Sequence, residues 1–141
     1  MEREVTFSKG RADRDKSEKI TINIGLVDLG EIDLLVDEGF FANRTDFIRT
    51  AIRRQLESRS AAVDRTVARR ELTLGSQYYS RRDLEELRAS GTVVHLRVLG
   101  LATIAEDVSP ELALATIDTV EVLGAFRAPE AVKAALASRT I

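Results

Sequence analysis

The chain has 141 residues, 44% of them hydrophobic and 31% charged, with a net charge of -2; this is the size of one compact domain or two very small ones, and it excludes a uniformly basic nucleic-acid binder. Cysteine is absent and His95 is the single histidine, which excludes disulfides, thiolate nucleophiles and a His/Cys metal cluster. No apolar run approaches the roughly 18 residues that cross a bilayer, and the N-terminus is charged where a signal peptide is apolar, so a cytoplasmic protein with no membrane partner is expected.

Residues 1–17 mix both signs densely and carry no helical stripe, which predicts a flexible charged arm in which Val5 and Phe7 are able to add a short edge strand. Residues 19–24 then alternate without a break: Lys19, Thr21 and Asn23 are polar, and Ile20, Ile22 and Ile24 are β-branched and apolar. That is the period of a half-buried strand with its isoleucines on a core. Asp28 stands three residues before Glu31, a capping-box spacing that predicts a helix start, and Leu29, Ile32, Leu35 and Val36 give that helix one apolar face before Gly39 stops it. A second helix is predicted from Asn43, with Asp46 in its first turn and an apolar stripe of Phe47, Ile48, Ala51, Ile52 and Leu56; its phase continues weakly from Val63 to Val67 as a helical linker, residues 59–70.

Beyond Arg70 the texture changes. Leu72, Thr73, Leu74; Leu96, Arg97, Val98; and Val120, Glu121, Val122 each read apolar-polar-apolar at a spacing of 24, and Leu99 with Gly100 matches Leu123 with Gly124. Helix starts are predicted between them at Ser80 with Asp83, at Ser109 with Pro110, and at Pro129 with Glu130. The pattern fits a short stack of strand-helix repeats, with a small α+β sandwich as the alternative. The fold class is therefore α+β: a module at 18–58, the linker, and a β/α repeat-like domain at 71–141.

One strand and two helices bury too little apolar surface to fold alone, and a lone strand leaves its backbone groups unpaired. Two copies with antiparallel strands cure both defects, so the sequence calls for a homodimer. In that dimer Lys19, Thr21 and Asn23 project together from a two-stranded ribbon. An ammonium, a methyl-bearing hydroxyl and an amide suit guanine, thymine and adenine edges, and such a ribbon fits the major groove. The charge supports this placement, with five acids and no base between residues 28 and 38 and five arginines between 44 and 59. At the second helix N-terminus, Asn43, Arg44 and Thr45 are candidate phosphate donors.

These residues resemble the ribbon-helix-helix DNA-binding family typified by the CopG, Arc and MetJ repressors. The resemblance covers 18–57, and its most specific part is the run G-x-x-x-N-R-T-D-F-I-R-x-A-I at residues 39–52. It implies an intertwined dimer on double-stranded DNA, with Lys19, Thr21 and Asn23 as base readers and Asn43, Arg44 and Thr45 as the phosphate clamp. The apolar turn at Gly25, Leu26 and Val27 departs from the family's polar link and leaves the strand end open. The arm is expected to add a modest contribution to DNA affinity through its basic residues.

The C-terminal half carries no recognised signature. A nickel-responsive repressor joins a similar module to a ferredoxin-like ligand domain, but its metal site needs several His and a Cys, and His95 alone reads as a hydrogen-bonded strand residue. No metal and no cofactor are expected. Glu85, Glu86, Glu106, Asp107 and Glu111 are the candidate catalytic acids, yet each has a capping or solvated role, and no phosphate loop or nucleophile elbow is present; no catalytic residue and no enzyme are expected. Tyr78, Tyr79 and Phe126 are able to line a pocket or fill a core. The expected function is a sequence-specific repressor whose residues 71–141 join dimers into tetramers or larger assemblies, their last helix lacking a polar capping unit. The alternatives are a DNA-coating partition or architectural protein and an effector-sensing repressor with a ferredoxin-like domain.

Overall fold

A computed structural model describes residues 17–141; the expected arm, with Val5 and Phe7, lies outside the described residues. The described chain divides into two compact units, Ser17–Thr66 and Val67–Ile141.

In the first unit, residues 19–24 belong to no strand. The expected half-buried face is not formed in the protomer: Ile20, Ile22 and Ile24 are 74%, 68% and 42% exposed. A strand is defined by its ladder, and a single chain supplies no neighbour here. Helix α1 spans Leu26–Asp37 and is capped by Gly25 in extended conformation with no side-chain bond, so the expected cap at Asp28 is displaced; Asp28 becomes a first-turn acid instead. The apolar Leu26 and Val27 are helical rather than a linking turn. The stop at Gly39 is a left-handed residue (φ +83), with the Phe40 N–H donating to the Leu35 carbonyl at 2.9 Å and the Gly39 N–H to Val36 at 3.1 Å, a Schellman closure. Helix α2, Arg44–Ser58, packs on α1, and an edge-to-face contact of Phe41 on Phe47 at 5.0 Å braces the turn between them. Ile32 is the one buried side chain of this unit. Helix α2 ends at Arg59, and α3 follows over Ser60–Arg70.

The second unit alternates strands and helices: β1 Thr73–Tyr79, α4 Arg81–Ser90, β2 Val94–Ile104, α5 Pro110–Thr116, β3 Ile117–Arg127, α6 Glu130–Leu136 and a 3-10 turn Ala137–Arg139. Its three strands are parallel in the order β1-β2-β3, an arrangement that rules out the antiparallel sheet of a ferredoxin-like domain. The helix starts fall where short capping side chains stand. Ser80 and Asp83 close a full capping box, and Ser109 accepts from the Leu112 N–H ahead of Pro110 in the first turn. One face of the sheet carries the helices. Leu96, Ile104 and Val120 meet Leu84, Leu112, Val132 and Leu136 in a core where each is at most 3% exposed, each such side chain contributing on the order of 1.5–3 kcal/mol.

The register corrects the expected repeat. Val98 pairs with Val122, a spacing of 24, but Thr73 pairs with Val98, a spacing of 25. Leu72, Thr73 and Leu74 are thus one residue out of phase with Leu96, Arg97 and Val98. The structure aligns Gly75 with Gly100 and Gly124 instead, and all three have φ between +119 and +138. The expected uncovered end also changes. Thr140 forms a parallel bridge with Val120, the Ile141 N–H donates to the Val120 carbonyl at 2.8 Å, and Arg139 clamps the Leu114 and Ile117 carbonyls at 2.7 Å each. The outer edge of β3 is paired there, while the outer edge of β1 has no partner among the described residues.

At the α3–β1 junction Glu71 is the one non-glycine with positive φ (+53) among the described residues. The Leu72 N–H closes on the Val67 carbonyl at 3.0 Å and Leu72 is buried, Arg70 pairs with Glu121, and Arg97 stands 3.6 Å from Glu71. The tight closure and the buried leucine hold a conformation that costs a side chain about 1–2 kcal/mol. Glu71→Gly is therefore expected to raise stability by roughly 0.5–1 kcal/mol after glycine's larger unfolded-state entropy, because the exposed pair it removes contributes little. Thermal melting checks this, and an unchanged or lower melting temperature would show that the junction is unstrained.

Candidate nucleic-acid interface

The candidate interface comprises two sequence-local pieces of the first unit. Lys19, Thr21 and Asn23 are exposed, as are the isoleucines between them. The protomer brings the three polar residues onto one strand-period segment but does not separate them from an apolar face, since that separation needs a second strand.

The start of α2 is better ordered. Asn43 is extended (φ -164) and its Oδ1 accepts from the Asp46 N–H at 2.8 Å. Asp46 replies by accepting from the Ala42 N–H at 3.0 Å. This reciprocal cap engages the side-chain oxygen of Asn43, an exposed residue. The Arg44 and Thr45 N–H groups have no carbonyl four residues back inside the helix, and the Thr45 side chain is exposed.

Arg44 is not idle. Its Nε donates to Asp33 Oδ1 at 2.7 Å and its NH2 group to Asp33 Oδ2 at 2.8 Å, a two-bond fork between α1 and α2. Arg44 stands out in the sequence, whereas Asp33 as its partner does not. The signal was present in the opposed charge of the two helices, but a five-acid helix does not say which carboxylate faces which guanidinium. The Arg44 hydrogen bonds hold the Asp33 carboxyl below its ordinary range, and Asp33 raises Arg44 in turn.

A lowered carboxyl pKa stabilises the fold above the ordinary carboxylate range and loses that contribution as pH falls through the folded value. A carbon-detected titration of the Asp33 carboxyl is thus expected to turn over below the ordinary carboxylate range, and to move up towards that range in Arg44→Ala. An Asp33 midpoint unaffected by that substitution would show that the fork is not held in solution.

In the second unit His95 Nδ1 lies 3.0 Å from Thr119 Oγ1 and 3.4 Å from Asp118, a strand-surface arrangement. No group of three His, Cys, Asp or Glu side chains among the described residues is placed to hold a metal, and none of their helices is long and apolar enough to cross a membrane. Of the candidate acids, Glu85 and Glu86 pair with Arg81 and Arg82 along α4, while Glu106, Asp107 and Glu111 are exposed around the turn into α5. Tyr78 and Tyr79 line an open groove of about 390 Å³ with Asp83, Glu86, Leu87, Ser90 and Val94; burial, then the nearby Asp83, push the Tyr79 hydroxyl up. Phe126 is not in that groove and packs against the core.

A strand-period segment followed by two packed helices, the second with a donor-bearing start, is the element order of a ribbon and helix-pair module. The ribbon-helix-helix transcriptional regulator family profile matches residues 15–133, most of the chain. The protein belongs to that family, and it is a transcriptional regulator of a DNA-binding class. The match runs through both units, well past the 18–57 segment that carries the resemblance. No curated protein and no solved structure matches the chain.

Proposed function

We propose that the protein is a sequence-specific repressor that binds the DNA major groove as a homodimer, with Lys19, Thr21 and Asn23 reading base edges and Asn43, Arg44 and Thr45 gripping phosphates. The observation that carries this is the unpaired segment 19–24, with Ile20 and Ile22 more than two-thirds exposed. Leu26, Val27, Phe40 and Leu56 are exposed on the same unit, at 84%, 76%, 70% and 59%, and soluble proteins rarely leave that much apolar surface wet. A second copy pairing its strand antiparallel would cover the isoleucines and turn the alternate residues outward. The second unit would then join dimers into tetramers. Footprinting with the full chain tests the reading. A short protected operator is expected; a long spreading footprint favours a DNA-coating protein, and no sequence-dependent protection at all would overturn specific binding.

In this reading Arg44 exchanges Asp33 for a phosphate when DNA arrives. Arg44→Ala is expected to weaken binding to all sequences alike and to reduce the slope of log affinity against log salt by about 1 for each phosphate that the guanidinium neutralises. An unchanged salt slope would assign the phosphate grip to backbone N–H groups alone. The tyrosine-lined groove supports a second reading, in which a small effector tunes the repressor; thermal shift against a metabolite panel tests it.

A further inference from the structure

The sheet of the second unit is covered by that unit's helices on one side only. On the other side the register aligns Leu74, Leu99 and Leu123 in a row, with Ser76, Leu101 and Ala125 in the next row, Tyr78, Thr103 and Arg127 in the one beyond, and Arg97 beside Glu121 in the one before. Leu74 is 72% exposed, Tyr78 63% and Leu123 40%, and Leu99, Leu101 and Ala125 are half-buried. Parallel sheets occur almost always with both faces covered, and this one presents an apolar ladder to water.

We propose that this leucine-lined face is where second units of two dimers meet, each face covered by the same face of another copy. The proposal rests on the assembly reading above and names its surface. Three features favour a second copy over another occupant. The two central rows carry no Lys or Arg, so nothing there selects a nucleic acid, and no acid there selects a basic partner. The charges of this face lie in its outer rows, Arg97 with Glu121 on one side and Arg127 on the other, and the uncharged rows between them are self-complementary under a two-fold axis.

Area supplies the third feature. Three strands about 4.8 Å apart and seven residues long give a face on the order of 300–400 Å². One such pairing falls well short of the roughly 800 Å² per partner of a stable interface. Each dimer carries two of these faces, however, and two pairings made together between a pair of dimers bury roughly 1,200–1,600 Å² in total, within the range of specific complexes. The geometry therefore favours a dimer of dimers over separate pairs of second units.

The test is the double substitution Leu74→Glu with Leu123→Glu in the full chain. Both side chains point away from the Leu84 and Leu136 core, so the fold and its melting temperature are expected to persist. Sedimentation equilibrium from micromolar to hundreds of micromolar is expected to show wild-type dimers and tetramers. The variant is expected to remain dimeric, with tetramer association weakened at least about 100-fold by the buried carboxylates. A tetramer that persists in the variant overturns this face while leaving the assembly reading standing. Wild-type protein that never exceeds a dimer overturns both.

Discussion

Gly100→Ala is expected to destabilise the second unit by about 4 kcal/mol, at the upper end of what single substitutions do, while Gly75→Ala costs only the backbone strain of roughly 1–3 kcal/mol. The two glycines share a positive-φ conformation, φ +138 and +119, and differ in what lies beside them. A Cβ on Gly100 would stand 2.1 Å from the Gly75 carbonyl oxygen and 3.0 Å from its carbon, whereas one on Gly75 meets nothing within 4 Å. The obstacle is the backbone of the neighbouring strand, so no rotamer change relieves it. Strand β1 must move away from β2, and the hydrogen bonds of that ladder, each contributing roughly 1 kcal/mol, weaken with it. Gly124 repeats the arrangement, its Cβ position 2.1 Å from the Gly100 oxygen. Chemical denaturation of the full chain followed by circular dichroism reads the difference. Equal losses for Gly75→Ala and Gly100→Ala would show that the strands are not stacked this closely.

At the cognate operator Asn23→Ala is expected to lose about 1–3 kcal/mol per half-site, and to leave nonspecific affinity near its original value. The asparagine amide is able to donate to N7 and accept from N6 of an adenine together, a pairing that alanine removes without disturbing the phosphate contacts. Because a two-fold dimer carries the residue twice, the loss at a palindromic operator is the sum of two half-sites. Thr21→Ala removes a methyl group and a hydroxyl, and is expected to act in the same direction but less. Titrations against the operator and a scrambled duplex at one salt concentration separate the two kinds of binding. If the ratio of the two affinities does not change, the ribbon does not read bases.

The alternating residues 19–24, the arginine-rich second helix and the run at 39–52 were legible in the sequence because each is a local pattern with a physical period or cap behind it. Asn43, Ser80, Ser109 and Gly39 likewise act through groups at most four or five residues away, and their roles as caps and stop follow from spacing alone. The exposed isoleucine face shows the limit of such reasoning. The sequence specifies an amphipathic strand, but burial depends on a partner that one chain does not contain. For the Asp28 cap, the chain extended the helix back to Leu26 because nothing in those residues forbids helical conformation, and Gly25 accepted the capping geometry instead.

By itself the sequence determined the family module and the alternation of strand and helix after residue 70, both of which depend on neighbours along the chain. Only the tertiary structure decided that Arg44 is forked onto Asp33, that β1 pairs with β2 one residue away from the apparent 24-residue repeat, and that residues 139–141 close the β3 edge. The reason is common to all three. Each is a meeting of separate elements; in the second unit it is selected by which packing puts Leu84, Leu96 and Val132 in one core and which backbone approach three aligned glycines permit. A one-residue change in strand offset leaves local propensities untouched while moving every side chain to the opposite face, so it is the sheet, with its glycine column, that sets the register.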